Sequence, residues 1–382
     1  MPLDAALAAL RKELHEWPET AFEEHRTRDI IERFVTAATA GDKRFRLLRA
    51  LETALVVEYR GGAPDDPFTL FRADMDALPL DEEPSHPAVS RRPGFMHACG
   101  HDIHMTTLAG LVARIAGKGP KRNILFVFQP GEEGAGGAKR MIEAGLFDRY
   151  AIAACYALHV TDDHYLGEVS SKAGVLFAMP REIDVVFTGT AGHAAFPHNA
   201  SDALFAAAHF VRNVNGTLAK RLDPMRPFLF HIGKIEGGTA RNIVADRCCL
   251  RGTMRALDLE TMGRGAAVVE EAAREAAALT GGAYRIETLG EFLPVVCDGA
   301  LVERLKKVCA ATGTRFVPSE TKLVGEDFGF FCARWPSLLF WLGARREGEP
   351  ARALHTPAIY PPDEAVRYGI ALFEGLLEAI SE

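Results

Sequence analysis

The chain has 382 residues, room for two domains, and 48% of them are apolar and 25% charged, an ordinary globular composition. Its formal net charge is −7, and no block of Lys and Arg stands apart from acidic neighbours, which argues against nucleic-acid and anionic-membrane partners, since both need a basic footprint. No apolar run reaches the roughly 20 residues of a membrane span, MPLDAALAALRKELHEW lacks the order of a signal peptide, and seven scattered cysteines make a poor disulfide framework; the expectation is a cytoplasmic protein.

In chain order, residues 1–40 read as helix. LETALVVEYR and FTLFR read as strands on either side of a Gly-Gly-Ala-Pro turn. A loop rich in Pro, Ser and Arg spans about 79–95. Residues 103–116 read as a buried helix, with Asp102 placed to cap it. NILFVFQ and AIAACYALHV are short, continuously apolar runs, as expected of strands covered on both faces. Strands alternating with helices predict an α/β domain with a mostly parallel sheet.

The texture changes near Pro180. REIDVVFTGT, a helix over 202–218, FLFHIGKIEG, CCLRGTMRAL, the helix ETMGRGAAVVEEAAREAAALTG and YRIETLG follow one another. Strand, helix, strand, strand, helix, strand is the order of a ferredoxin-like α+β unit. The first pattern then returns with a helix over 301–311, the strand SLLFWLGA and a last helix from Asp363. The expected partition is a discontinuous catalytic domain, 1–179 and 291–382, interrupted by a small α+β domain at 180–290.

Acid, imidazole and thiol groups gather just after the apolar strands: Asp74 and Asp76 after TLFR, Glu132 and Glu133 after NILFVFQ, and His159 after AIAACYAL. Ligands of open α/β sheets bind outside the carboxyl ends of strands, so these groups are placed to converge. HACGHDIH opens the next helix and adds His97, Cys99, His101, Asp102 and His104, and His355 follows the SLLFWLGA strand. Each has a plainer reading: turn formers for the aspartates, solvated charges at a helix start for Glu132 and Glu133, core packing for Cys99. Three imidazoles and a thiol within eight residues are improbable filler, and favour a metal. A catalytic zinc takes three protein ligands and leaves a position open. Cys99, His101, Glu133, His159 and His355 are too many for one such site and suit two ions, with Glu132 placed to take a proton from water.

HACGHDIHMT, FQPGEEGAGGA, ALHV, TGTAGHAAFPH, GGTARNIVAD, RGTMRAL, VGEDFGFF and the late His355 occur in the order of the M20 metallopeptidase family. The chain resembles its aminoacylase-like amidohydrolase branch, which includes hippurate hydrolases and auxin-conjugate hydrolases, from ELHEWPETAFEEHRT to the last helix. The resemblance implies a catalytic α/β domain with two divalent metals per subunit, an inserted lid through which the chain forms a homodimer, and hydrolysis of a small-molecule N-acyl amino acid. It implies that Cys99, His101, Glu133, His159 and His355 are the metal ligands, Cys99 bridging, and that Glu132 is the general base. It further implies that Asp76 hydrogen-bonds and orients a ligand histidine, that His193 reaches a neighbouring subunit's site, and that Asn242 and Arg255 hold the substrate carboxylate. Asp74 stands where peptidase members carry a histidine ligand, which fits the aminoacylase-like branch. Zinc, manganese, cobalt and nickel all remain open as the metal. KAGVLFAMPREIDVVF and VGEDFGFFCARWPSLLFWLGA resemble a branch member that removes acetyl from a zwitterionic amino acid, with a broad N-acyl amino acid amidohydrolase as the alternative.

Overall fold

The computed structural model describes residues 2–379. It divides into two compact units, one of Met1–Leu176, Val295–Glu320 and Asp327–Glu382, the other of Phe177–Pro294 and Thr321–Glu326.

The first unit begins with α1 (Leu3–Glu16) and α2 (His25–Ala38), then β1 (Phe45–Ala50), β2 (Ala54–Arg60) and β3 (Phe68–Asp74). The single N-terminal helix expected over 1–40 is therefore two helices. Pro18, which disfavours helical backbone at Trp17, and a left-handed Phe22 (φ 63°) break it. Next come α3 (His101–Lys118), β4 (Asn123–Gln129), α4 (Gly137–Glu143), β5 (Ile152–Tyr165), β6 (Glu168–Ser171) and β7 (Gly174–Phe177). The second unit contributes β8 (Met179–Thr188), β9 (Gly192–His193), α5 (Ala203–Arg221), β10 (Phe228–Gly237), β11 (Ile243–Val244), β12 (Arg247–Ala256), α6 (Leu259–Thr280) and β13 (Ala283–Glu291). The chain then returns with β14 (Val295–Cys297), α7 (Gly299–Thr312), β15 (Arg315–Pro318), α8 (Gly329–Cys332), β16 (Ser337–Arg345) and α9 (Glu364–Glu378).

The large sheet of the first unit runs β1-β2-β4-β3-β5-β16-β6-β15. It is mixed rather than mostly parallel throughout. The pairs β4/β3, β3/β5, β5/β16 and β6/β15 are parallel, whereas β1/β2, β2/β4 and β16/β6 are antiparallel. The sequence signal is clearest in the parallel centre, where every residue of β3 and β4 is buried. Phe71 packs there against Tyr156 and Phe373, with ring centroids 5.3 and 5.0 Å apart. The buried Tyr156 hydroxyl accepts from Arg304 Nη1 at 2.9 Å, so no polar group of this cluster is stranded. No helix among the described residues is long and apolar enough to cross a membrane.

In the second unit the four-stranded sheet runs β10-β12-β8-β13, all antiparallel, with α5 and α6 supplying its core. Phe187, Phe210, Leu250, Ala273 and Ala276 are buried together there. With the chain order β8, α5, β10, β12, α6, β13 this is the ferredoxin-like pattern. Asp202 caps α5, accepting the Leu204 and Phe205 amides, and Asp258 caps α6 through the Thr261 amide.

Candidate metal centre and active site

Parallel β3, β4 and β5 bring their carboxyl ends to one edge of the sheet. The loop after β3 carries Asp76, the loop after β4 carries Glu132 and Glu133, and His159 lies within β5, which runs five residues past the expected apolar segment. α3 opens at Gly100 in the left-handed conformation (φ 80°), with no side-chain cap. Asp102 therefore does not cap this helix. Its carboxylate turns inward to Arg11 Nε (2.9 Å) and His15 Nδ1 (2.8 Å) of α1. Gly100 is required on two counts, since a Cβ there would also lie 2.3 Å from Val160 Cγ2.

Four side chains close around the Cys99 thiol. Cys99 Sγ is 3.3 Å from His159 Nε2 and 3.2 Å from His355 Nε2, and His355 Nε2 is 3.2 Å from Glu133 Oε1. The donor atoms of Cys99, His101 and His159 lie within 4.8 Å of one another, as do those of Cys99, Glu133 and His355. These two sets share only the thiol, so an ion in each would be bridged by Cys99.

The imidazoles are oriented from behind. His101 Nδ1 donates to the Asp76 carbonyl at 2.8 Å, and His159 Nδ1 donates to the Val160 carbonyl at 2.7 Å. Each ring thus presents Nε2 to the centre, the usual arrangement for metal-bound histidine. His101 Nε2 is buried with no hydrogen-bond partner. Electrostatics points the same way. Burial opposes charge on His101, but Asp74, Asp76 and Glu133 outweigh it and hold the imidazole up to about 10. Burial, with Glu133, Glu132 and Asp74 facing it, pushes the Cys99 thiol well above its ordinary range. A buried polar atom without a partner, and a thiol whose ionised form requires nearby positive charge, fit divalent cations at this position. A thiolate, imidazoles and a carboxylate suit zinc and its first-row neighbours.

The other imidazoles of HACGHDIH do not join the centre. His104 Nε2 accepts the Val160 amide at 2.9 Å, so Nδ1 carries the proton that Asp74 Oδ1 receives at 2.6 Å. His97 is buried, and burial lowers its imidazole to about 3. Asp74 is matched on its other side by Arg72 Nη1 at 2.6 Å.

Asp76 acts on its histidine through the backbone carbonyl. Its carboxylate, 3.5 Å from His101 Nδ1, accepts the Glu132 amide at 3.1 Å and the Glu133 amide at 2.8 Å. Glu132 is buried, and its Oε1 receives the Asp327 amide at 3.3 Å. Asp327 is itself held by Arg72 Nη2 (2.9 Å), Gln129 Nε2 (2.8 Å) and the Ala138 amide (2.8 Å). The sequence reading passed over Arg72, Gln129 and Asp327. The signal was present for Arg72 and Gln129, since charged and amide residues inside all-buried strands need partners, and Asp327 is the partner they share.

In the second unit, His193 and Asn242 come together. β9 pairs with β11 so that His193 faces Ile243, and the Ala194 amide donates to the Asn242 carbonyl at 3.0 Å. Both residues are exposed. Arg255 lies on β12 of the four-stranded sheet, where its guanidinium is engaged by Glu182, Thr253 and the Met254 carbonyl.

A cysteine-centred set of five donors with a buried glutamate beside it lies at the carboxyl edge of an α/β sheet, and the family and relatives that the chain matches make it a metal-dependent amidohydrolase. Residues 70–379 match the model of peptidase family M20/M25/M40, and the chain belongs to that family. Proteins named N-acetyldiaminopimelate deacetylase are among its relatives. The one from Listeria monocytogenes serovar 1/2a is 35% identical over 97% of this chain and 98% of its own length. That from Shouchella clausii is 35% identical over 96% and 95%. Among solved structures, a Bacillus subtilis protein described as a dinuclear metal binding peptidase from the M20 family aligns over 99% of this chain and 98% of its own, with TM-score 0.83 and 27% identity. A Staphylococcus aureus structure shares the fold, with TM-score 0.90 at 24% identity over 99% of this chain and 96% of its own.

Proposed function

We propose that this chain hydrolyses N-acetyl-LL-diaminopimelate to LL-diaminopimelate and acetate, the deacetylation that serves lysine biosynthesis by the acetylated route. The closure of Cys99, His101, Glu133, His159 and His355 on one point, with Glu132 alongside, carries the reaction type. The names of relatives 35% identical over nearly the whole chain support the substrate.

When bound, two divalent ions would be held by these five residues and would supply Lewis acidity to the amide carbonyl and a more acidic water. Glu132 takes a proton from that water as its oxygen bonds to the carbonyl carbon. When the C–N bond breaks, Glu132 delivers the proton to the leaving amine, giving acetate and the free amino acid. The Asp76 carbonyl fixes His101 and the Asp76 carboxylate fixes the Glu132–Glu133 backbone, so the base and two ligands are set from a single residue.

In this reading Phe177–Pro294 is a lid and dimerisation unit. β10 is an edge strand of its sheet and exposes Leu229 and Ile235, and α5 exposes Phe205 at 60%. An exposed apolar edge is a template for pairing with a second copy. His193 donates to the oxyanion at the partner subunit's centre, and Asn242 and Arg255 hold the substrate carboxylate, Arg255 giving up Glu182 to do so. Seven cysteines too scattered in the sequence for a disulfide framework fit a reducing compartment, the cytoplasm.

The test is turnover of an N-acyl panel by metal-reconstituted protein, with a chelated control. N-acetyl-LL-diaminopimelate should show a higher kcat/KM than N-acetylmethionine or benzoylglycine, and chelation should abolish turnover without unfolding. A clear preference for benzoylglycine moves the assignment to a broad amidohydrolase.

A further inference from the structure

Glu24 lies far in sequence from every residue assigned above, yet it is completely buried. Its Oε1 accepts the Gly131 amide at 2.9 Å and its Oε2 accepts the Thr53 hydroxyl at 2.8 Å. Gly131 is followed directly by Glu132 and Glu133, whose amides go to the two oxygens of Asp76. Three successive backbone amides therefore end on two carboxylates, and Glu24 supplies the first anchor.

The surrounding geometry is built for that anchor. Gly131 has φ 64° and Phe22 has φ 63°, and the two meet: a Cβ on Gly131 would lie 2.7 Å from Phe22 Cζ. The Arg140 guanidinium, carried by α4, covers the Phe22 ring at 4.0 Å. On the other side the loop is closed by the Gly137 amide donating to the Gly131 carbonyl at 2.9 Å. A Cβ at Gly137 would sit 1.6 Å from the Pro130 oxygen. Backbone fixed by its own turn on one side and by Phe22 and Glu24 on the other has little freedom to turn the Glu132 side chain.

We propose that Glu24 is a positioning residue for the reaction: by holding the Gly131 amide, it sets the backbone of residues 131–132 and so aims Glu132 at the water it deprotonates, while Asp76 holds the Glu133 amide. The proposal rests on the assignment of Glu132 as the base. Burial, reinforced by the charge of Asp76, lifts the Glu24 carboxyl to about 7. A glutamine, which copies the protonated acid, therefore preserves the arrangement, with its oxygen on Gly131 and its amide donating to Thr53.

The experiment compares holoenzyme carrying Glu24→Met, Glu24→Gln, Thr53→Val and Glu132→Gln, measuring kcat, KM, metal content and hydrogen–deuterium exchange of peptides covering 130–134. Glu24→Met should lower kcat by about 10–100-fold, the scale of a misplacement near 1 Å, with KM and metal content unchanged and faster exchange in 130–134. Glu24→Gln should restore both kcat and slow exchange. If Glu24→Met does not fold, Thr53→Val carries the test, with a smaller loss in the same direction. Wild-type kcat in Glu24→Met, or in Thr53→Val where that variant carries the test, overturns the proposal. So does loss of metal together with kcat, or a Glu24→Gln enzyme as slow as Glu24→Met. An active Glu132→Gln overturns the base assignment itself, whereas an inactive Glu132→Gln beside a fully active Glu24→Met overturns only the role of Glu24.

Discussion

Around Cys99 the supporting atoms are committed before any ligand arrives. The Nδ1 atoms of His101 and His159 are bonded to carbonyls, Asp74 is matched by Arg72 and His104, and the Glu132–Glu133 amides end on Asp76. In the second unit, His193 and Asn242 are exposed on a two-stranded ladder, and the Arg255 guanidinium is bonded to its own neighbours. The first region stores its geometry in the folded chain, as preorganised electrostatic catalysis requires. The second presents groups whose proposed roles require a substrate or a second subunit. The contrast separates residues whose loss should remove chemistry and stability from residues whose loss should remove chemistry alone.

The largest effect is expected at the committed region. Glu132→Gln should keep both metals and the fold while kcat falls by about 10²–10⁴-fold, the usual cost of removing a general base. Near-normal turnover at full metal content would show that the buried glutamate is structural. The next concerns the exposed region. His193→Ala should cost about 10²–10³-fold, as for one lost oxyanion donor. When it is mixed with Glu132→Ala under conditions of subunit exchange, roughly a quarter of the activity should return, because half the dimers are mixed and each has one intact site. Exchanged, metal-loaded dimers that stay inactive would confine His193 to its own chain. The smallest effect tests the contrast in stability alone. Asp74→Asn leaves Arg72 with one buried partner fewer and should destabilise by up to about 3–5 kcal/mol in urea unfolding. Asn242→Ala should stay within about 0.5 kcal/mol. Equal losses would erase the distinction between the two regions.

The same contrast explains what could be read from the amino acids alone. β3 and β4 are apolar throughout and were plain, as were the α/β and ferredoxin-like patterns, and the cluster around Cys99 stood out as improbable chemistry. β1, β6 and β15 were missed because strands this short or this charged carry little apolar signal: FRLLRA in β1 is nowhere fully buried, and β6 has four residues. The break between α1 and α2 escaped because Phe22 takes its left-handed backbone from a tertiary fit to Gly131, not from local propensity. Asp102 looks like a cap in sequence and becomes an ion-pair partner of Arg11 only when α1 packs beside α3. Asp76 could be assigned to the histidine, but which of its oxygens reaches His101 is settled by the turn after β3.

The order of strands in the large sheet bears on how this protein is made. β16 lies between β5 and β6, which are neighbours in the chain, and His355 follows β16. A ribosome therefore releases Cys99, His101, Glu133 and His159, and then the whole second unit, before the strand that completes the centre of the sheet exists. Such late, long-range closure is a slow step. Until the last part of the chain emerges, β5 has an open edge and the thiol lacks one of its donors, so truncated or stalled chains are the form most exposed to mispairing and oxidation.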